Sequence, residues 1–520
     1  MSFSKILIAN RGEIACRVIR TAHRLGCRTV AVFSDADAQA PHVQQADEAV
    51  RIGPPPAAES YLNIAAILDA AKRTGADAVH PGYGFLSERA DFALACADAG
   101  LVFIGPPASA IRDMGNKAGA KRRMLAAGVP CAPGYLGEEQ GDEHLTAEAH
   151  KLGLPLLVKA VAGGGGRGMR RVADWGDLSE ALKGARREAT SAFGDGTLML
   201  ERLIPDGRHI EIQVFADAHG HAVHLGERDC TAQRRRQKVI EEAPSPVVSP
   251  AMREAMGRDA VAAALAVGYR GAGTVEFIVD ADLKHYFLEM NTRLQVEHPV
   301  TECITGQDLV EWQLRVAAGE PLPLTQEQIT FTGHAIEARL YTEDPYDGWA
   351  PQTGHIAGWN PQASSIRIDH GMAVGGEVSP YYDAMVAKFI AHGRDRADAV
   401  RRLTRALEDV PLLGPRNNGR FLRDLVNHPQ FSAAQLTTTR LDEWLANGEP
   451  LLQRPVPGDD AWRVAAALLA GADNGRPASV SRFDLLLECQ GVKRSLRAPD
   501  EQVTVLNWSG DRATVLIDGV

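Results

Sequence analysis

Glu289-Met290-Asn291-Thr292-Arg293-Leu294-Gln295-Val296-Glu297 carries a polar functional group at every second residue: Glu289, Asn291, Arg293, Gln295 and Glu297. It follows an apolar, strand-like run, His285 to Met290, and side chains two apart on an extended chain point to the same side. One face is therefore predicted to gather carboxylates, an amide and a guanidinium. That is too much charge for a face that only packs, and it suits a wall that holds a metal ion and an anionic reactant.

Its counterpart lies upstream, in Val161-Ala162-Gly163-Gly164-Gly165-Gly166-Arg167-Gly168-Met169, just after the strand-like Leu156 to Ala160. Four successive glycines let backbone N–H groups approach a polyphosphate closely, as no run bearing Cβ atoms could. The two segments together predict an ATP-dependent enzyme. Lys159, at the end of an apolar strand, aims its charge at the sheet edge and is read as a phosphate ligand. Lys117 gains weight only from its company.

Working outward, residues 5 to 110 alternate short strands (Lys5 to Ala9, Thr29 to Phe33, Ala78 to His80, Val102 to Ile104) with helices (Gly12 to Leu25, Ile64 to Lys72, Asp91 to Ala99). That order gives a parallel sheet covered on both sides. Asn10-Arg11-Gly12-Glu13 has one glycine where a dinucleotide fingerprint needs three, so a nicotinamide site is not expected. His80-Pro81-Gly82-Tyr83-Gly84-Phe85-Leu86-Ser87-Glu88 is a turn at the carboxyl end of a strand, either a ligand loop or merely a rigid connection. Later strands are expected at Ile210 to Phe215, His221 to Leu225, Thr274 to Val279 and Tyr286 to Met290, around a helix from Pro250 to Ala266. Beyond Pro455 a helix, Ala461 to Ala470, and the runs Phe483 to Glu488, Thr504 to Trp508 and Thr514 to Ile517 predict a small β domain.

Several stretches admit two readings. Glu201 and Leu203 follow a strand end that could receive a purine edge or simply pack. His209, in an alternating strand, could cap, pack or bind ribose. Glu227 to Lys238, which includes Gln233 and Arg236, is either a solvated strip or an anion pocket. Glu276 could meet Glu289 across a hairpin, and two carboxylates with the Asn291 amide supply hard oxygen ligands for magnesium. Arg339 extends the basic wall.

Composition sets the outer limits. A chain of 520 residues implies two to four domains, and 45% hydrophobic content is ordinary for a soluble protein. The net charge of −10, from 66 acidic and 56 basic residues without a basic tail, argues against nucleic acid as partner. Seven scattered cysteines without a CxxC pair make a disulfide framework or cysteine zinc site unexpected. The N-terminal apolar run is too short for a signal peptide, and no stretch reaches the roughly 18 apolar residues of a membrane span, so a cytoplasmic location is expected.

With Ala9 to Ala15, His80 to Gly84, Gly163 to Met169, Glu227 to Lys238, Glu289 to Pro299 and Glu337-Ala338-Arg339 in view, the chain resembles the biotin carboxylase component of biotin-dependent acyl-CoA carboxylases, over residues 1 to 445. The resemblance implies an α/β fold of biotin carboxylase architecture: an N-terminal parallel α/β domain (1–115), an ATP-grasp region with a glycine-rich lid (116–330, lid 130–204) and a C-terminal mixed α/β domain (331–447). A linker and part of a helix-plus-β-barrel tethering domain would follow (448–520). It implies nucleotide contacts from Lys117, Lys159, Met169, Glu201, Leu203, His209 and Gln233, with Gly163, Gly164, Gly165 and Gly166 closing over the phosphates. Glu276, Glu289 and Asn291 would hold magnesium, with manganese as a substitute. Lys238, Arg293, Gln295 and Val296 would hold bicarbonate, Glu297 would be the base, and Arg339 would stabilise the biotin enolate.

The implied cofactors are ATP, magnesium and biotin on a carrier domain, with bicarbonate as co-substrate. No Ala-Met-Lys-Met biotinylation sequence occurs, so the carrier is expected beyond residue 520 or on another chain. The implied partner is a carboxyltransferase β subunit in a hetero-oligomer, of methylcrotonyl-CoA or geranyl-CoA type. A propionyl-CoA or acetyl-CoA carboxylase and another ATP-grasp carboxylate–amine ligase are the alternatives. The intact Glu289 to Glu297 pattern argues against a non-enzymatic scaffold. Arg236 stands where the family usually has histidine, a change expected to alter nucleotide affinity.

Overall fold

The computed structural model describes residues 3–161, 169–470, 483–489, 491–498, 500–509 and 512–518. It divides into two compact units, one up to Leu451 and one from Leu452 onward.

The first unit opens with a parallel sheet. Its strands are β1 (Lys5–Ile8), β2 (Arg28–Ser34), β3 (Glu48–Gly53), β4 (Ala78–His80) and β5 (Val102–Phe103), in the order β3-β2-β1-β4-β5. Ile6, Leu7 and Ile8 are wholly buried because helices cover both faces. The strand order reverses between β1 and β4, so the loops after these strands flank a crevice at the sheet's carboxyl edge. Asn10 ties the loops together, donating from Nδ2 to the Pro81 carbonyl at 2.7 Å and the Tyr83 carbonyl at 2.8 Å. Gly82, at φ +61°, lies so close that a Cβ there would come within 2.8 Å of Asn10 Nδ2. The edge strand β3, with Glu48 and Arg51 among its residues, was not expected.

A smaller four-stranded sheet follows, formed by β6 (Gly134–Tyr135), β7 (Leu156–Ala160), β8 (Met169–Val172) and β9 (Leu198–Arg202) in the order β6-β9-β7-β8. Helices Asp142–Leu152 and Leu178–Phe193 supply Leu145, Ala149, Leu182 and Ala185 to its core.

The largest sheet has eight antiparallel strands. β14 (His285–Asn291), β13 (Gly271–Val279), β10 (Arg208–Ala216), β11 (Ala222–Arg234), β12 (Gln237–Ala243) and β15 (His334–Tyr341) come in that order, followed by Met385–Gly393 and Arg367–His370. The sheet runs from β12 directly into β15, so segments expected to lie in separate ATP-grasp and C-terminal domains share one continuous ladder. β11 is thirteen residues long where a short strand ending at Leu225 was expected. Its charged second half, Glu227 to Arg234, is buried strand rather than solvated strip.

The second unit has a helix, Asp459–Leu469, and two hairpins, Phe483–Cys489 with Val492–Ala498 and Val503–Ser509 with Arg512–Ile517. Val492–Ala498 escaped the sequence reading because Lys493, Arg494 and Arg497 mask its alternation.

Candidate active site

The opening stretch departs from a single extended face. β14 ends at Asn291; the chain then leaves the sheet and turns, and Glu297 becomes the residue preceding helix His298–Thr305. Alternation aligns only Glu289 and Asn291. The turn brings Gln295 and Glu297 back towards the sheet, where both are 2% exposed.

They converge on Lys238, at the start of β12. Its Nζ donates to Glu211 at 2.6 Å, Glu276 at 2.9 Å, Gln295 Oε1 at 3.2 Å and Glu297 Oε1 at 2.6 Å. Glu211 and Glu276 are themselves cross-strand partners on β10 and β13. Burial works against the Lys238 charge, but Glu211, Glu276 and Glu297 reverse that and hold its pKa well above the ordinary lysine value. Burial likewise disfavours the Glu297 carboxylate, yet Lys238, Arg339 and Arg228 keep it ionised far below the usual range.

Arg339 projects from β15 and is the second cation on Glu297. Its Nη2 donates to Glu297 Oε2 at 2.9 Å and its Nε to Glu241 Oε1 at 2.5 Å. Arg228, fully buried on β11, fixes Glu211 from behind with Nε at 2.6 Å and also bonds Gln213, Thr301 and Thr274. Arg293 reaches Glu88 Oε2 at 3.0 Å and Asn291 Oδ1 at 3.3 Å, joining the turn after β4 to this site. Val296 offers its carbonyl to Lys388 Nζ at 2.8 Å.

Glu276 and Glu289 face each other in register across β13 and β14, and Asn291 Nδ2 donates to Glu276 at 2.8 Å. Burial, followed by the Glu276 charge, pushes the Glu289 carboxyl up. Two opposed carboxylates and an amide form an oxygen-rich set whose mutual repulsion a hard divalent cation would relieve, so these residues fit magnesium. A tighter group, His209, Glu211 and Glu276, has ligand atoms within 4.8 Å of one another, but the Lys238 ammonium already bonds both of its carboxylates.

The remaining nucleotide-side residues fall into separate groups. Glu201, at the end of β9, accepts from Lys121 Nζ at 2.8 Å and from Lys159, and these two cations hold it ionised against its burial. His209 Nε2 lies 2.9 Å from Glu276 Oε2, and its Nδ1 lies 3.3 Å from Gln233 Nε2. Burial opposes protonation of His209, but Glu276 outweighs it and raises the pKa. Leu203 donates its backbone N–H to the Pro155 carbonyl, Met169 Sδ sits 3.0 Å from Arg236 Nη2, and Lys117 begins helix Lys117–Ala126. Among the described residues no hydrogen bond ties these three to the Lys238 cluster. Gly163 to Gly166 lie outside the described residues.

Sequence reasoning missed Lys121, Glu88, Arg228, Glu211 and Lys388. For Glu211 a signal existed: His209, Glu211 and Gln213 form the polar half of β10's alternation.

The matches to known proteins decide the family. Residues 2–111 match "Biotin carboxylase, N-terminal domain", 116–325 match "Carbamoyl-phosphate synthase L chain, ATP binding domain", and 337–443 match "Biotin carboxylase C-terminal domain". The biotin carboxylase of Halalkalibacterium halodurans is 52% identical over 440 residues, which cover 84% of this chain and 96% of that protein. The chain belongs to the biotin carboxylase family. It is thus an ATP-dependent ligase by family.

The biotin carboxylase domain of Hydrogenobacter thermophilus 2-oxoglutarate carboxylase, solved with MgADP, ADP and bicarbonate, superposes with a TM-score of 0.83 at 45% identity, covering 88% of this chain and all of that one. The mitochondrial methylcrotonoyl-CoA carboxylase subunit alpha of Arabidopsis thaliana is 55% identical over 437 residues, 84% of this chain and 60% of the relative. The chain spans about 60% of the length of such curated relatives. The mitochondrial location of these relatives corrects the expectation of a cytoplasmic one. Scattered cysteines without a CxxC pair and the lack of a long apolar run are equally compatible with that compartment, so they carried no information on this point. No helix among the described residues is long and apolar enough to cross a membrane.

Proposed function

We propose that this chain is the biotin carboxylase-bearing α subunit of an acyl-CoA carboxylase of methylcrotonyl-CoA or geranyl-CoA type, working with a carboxyltransferase β subunit and with biotin on a carrier domain. The observation that carries the reading is Glu297, buried and ionised between Lys238 and Arg339. A base so placed is weak while both cations serve it alone. When bicarbonate enters and draws on Lys238, Arg293, Gln295 and the Val296 backbone, the proton affinity of Glu297 rises at the moment of use.

Glu297 then takes the bicarbonate proton, and the freed oxyanion attacks the γ-phosphorus of ATP, releasing ADP and forming carboxyphosphate. Carboxyphosphate breaks to carbon dioxide and phosphate, and the phosphate takes the proton from the biotin ureido nitrogen, which attacks carbon dioxide. Arg339, preorganised by Glu241, would stabilise the negative charge that develops on the ureido oxygen of bound biotin. Lys117, Lys159, Met169, Glu201, Leu203, His209, Gln233 and the Gly163 to Gly166 turn would hold the nucleotide and exclude water from a hydrolysable intermediate. Glu276, Glu289 and Asn291 would hold magnesium, which when bound neutralises phosphate charge.

The test is bicarbonate-dependent ATP hydrolysis with and without free biotin. Turnover should require biotin and fall at least about a hundredfold in Glu297→Ala. Biotin-independent turnover, or an unimpaired variant, would refute the reading. The acyl group is read by assaying the assembled complex against several acyl-CoAs, with the branched or terpenoid thioesters expected to be preferred.

A further inference from the structure

Behind Arg339 the large sheet buries two carboxylates, Glu241, which holds the guanidinium, and Glu337, to which the proposed chemistry gives no part. Glu241 on β12 and Glu337 on β15 are direct cross-strand partners, so their side chains rise from one face at neighbouring positions. Both residues have 0% solvent exposure. Arg339, two residues along β15, takes only Glu241 Oε1. Glu241 Oε2 and both oxygens of Glu337 are left buried without a hydrogen-bond donor. Lys388, which stands opposite Arg339 in the next strand, is committed elsewhere, to the Val296 carbonyl at 2.8 Å and Glu13 Oε1 at 3.2 Å.

An ionised carboxylate buried without donors is costly, and two side by side cost more. We propose that Glu241 and Glu337 form a one-proton carboxyl pair, in which ionised Glu241 positions Arg339 and neutral Glu337 allows Glu241 to remain ionised. This inference rests on the reading of Arg339 given above. The groups facing the pair are Arg339 and Lys388 from the strands, Lys238 and Cys230 from the β11–β12 hairpin, and Glu297 and Cys303 from the turn and helix beyond. Burial dominates for both acids: it drives Glu337 well above the ordinary glutamate value despite Lys388, and lifts Glu241 to about 7 despite Arg339.

The arrangement has a use in turnover. Arg339 is held on its Nε edge by Glu241 and on its Nη2 edge by Glu297. Once Glu297 has taken a proton, Glu241 alone keeps the guanidinium in place while its other edge turns to the substrate oxyanion. An ionised Glu337 would over-neutralise Arg339 at that step, and a neutral Glu241 would release it. Glu241 and Glu337 are therefore positioning residues, with no contact to substrate.

Two measurements test the pair. A carboxyl whose pKa is raised on folding penalises the folded state increasingly as pH rises above the unfolded value of about 4.3. Glu337→Gln mimics the neutral acid and removes that penalty, so its gain in melting temperature over wild type should grow from about pH 5 to about pH 8. The alkaline limb of its pH–rate profile should also move upward. A variant less stable than wild type across that range would mean that Glu337 is ionised and paired, and would overturn the proposal. Glu241→Gln should lower kcat for free biotin about 10- to 100-fold while moving the KM for ATP less than about threefold, with partial rescue by Glu241→Asp. A Glu241→Gln enzyme as fast as wild type beside an inactive Arg339→Gln would sink the pair and leave the role of Arg339 standing. An active Arg339→Gln would remove both.

Discussion

Around Lys238 one ammonium bonds four side-chain oxygens, three of them from carboxylates. Around Arg17 and Arg367 the same chemistry is arranged differently. Glu302 offers one oxygen to each guanidinium, at 2.7 Å in both cases, and further bonds run to Thr21, Asp308 and Asp369. A cavity of about 730 Å³ opens beside this second network, yet Arg17 and Arg367 there each already bond two carboxylates. Guanidinium forks fix geometry, whereas an ammonium is a point charge whose partners compete. The arginine network is therefore a clamp between the first helix, Gly12–Arg24, and the segments around Glu302 and Asp369. The lysine network can exchange a protein carboxylate for a substrate anion.

Breaking the lysine network should have the largest effect. Lys238→Gln leaves Glu211, Glu276 and Glu297 facing one another without their shared cation, and biotin-dependent ATP hydrolysis is expected to fall about a thousandfold. A loss under about tenfold would show that Lys238 is scaffold like Arg17.

The arginine network should answer in stability. Arg17→Gln strips a buried partner from Glu302 and Asp308 and is expected to cost about 3 kcal/mol in denaturant unfolding. Burial raises the Asp308 and Asp369 carboxyls, but Arg17 and Arg367 respectively outweigh it and hold them below their ordinary range. Their stabilisation is complete above the unfolded aspartate value of about 3.9 and is lost as pH falls through the depressed folded values. The stability gap between wild type and Arg17→Gln should therefore close in acid below about pH 4. A gap that widens there would contradict the clamp.

The smallest effect is expected at Arg236. Arg235 and Arg236 have φ of +46° and +69° in the tight turn between β11 and β12, where a positive φ is unusual for side chains of this kind. Arg236→His should change nucleotide affinity about two- to tenfold with little change in kcat. Identical affinities by titration calorimetry would show that the turn, rather than the side chain, matters there.

How much was legible varied with the local signal. The parallel sheet was readable because Ile6 to Ile8, Thr29 to Phe33 and Ala78 to His80 are short apolar runs between helical patterns. β3 and Val492–Ala498 were missed because charged residues obscure their alternation. The facing of Glu276 and Glu289 followed from a hairpin reading, and the structure pairs them in register. Glu227 to Arg234 could not be classified from the chain alone, since charges look the same whether solvent or Glu211, Gln213 and Thr274 receive them.

The order of residues by itself determined the elements with clear apolar periodicity, the oxygen-rich hairpin and the supply of cations, because alternation and helical spacing are local properties of the chain. Tertiary structure alone decided that Glu297 returns to Lys238 after leaving the strand, that Glu201 sits between two lysines, and that Glu241 and Glu337 share a buried face. These depend on contacts across 42 to 98 residues, and register between distant strands is set by burial of whole faces rather than by any neighbour in sequence.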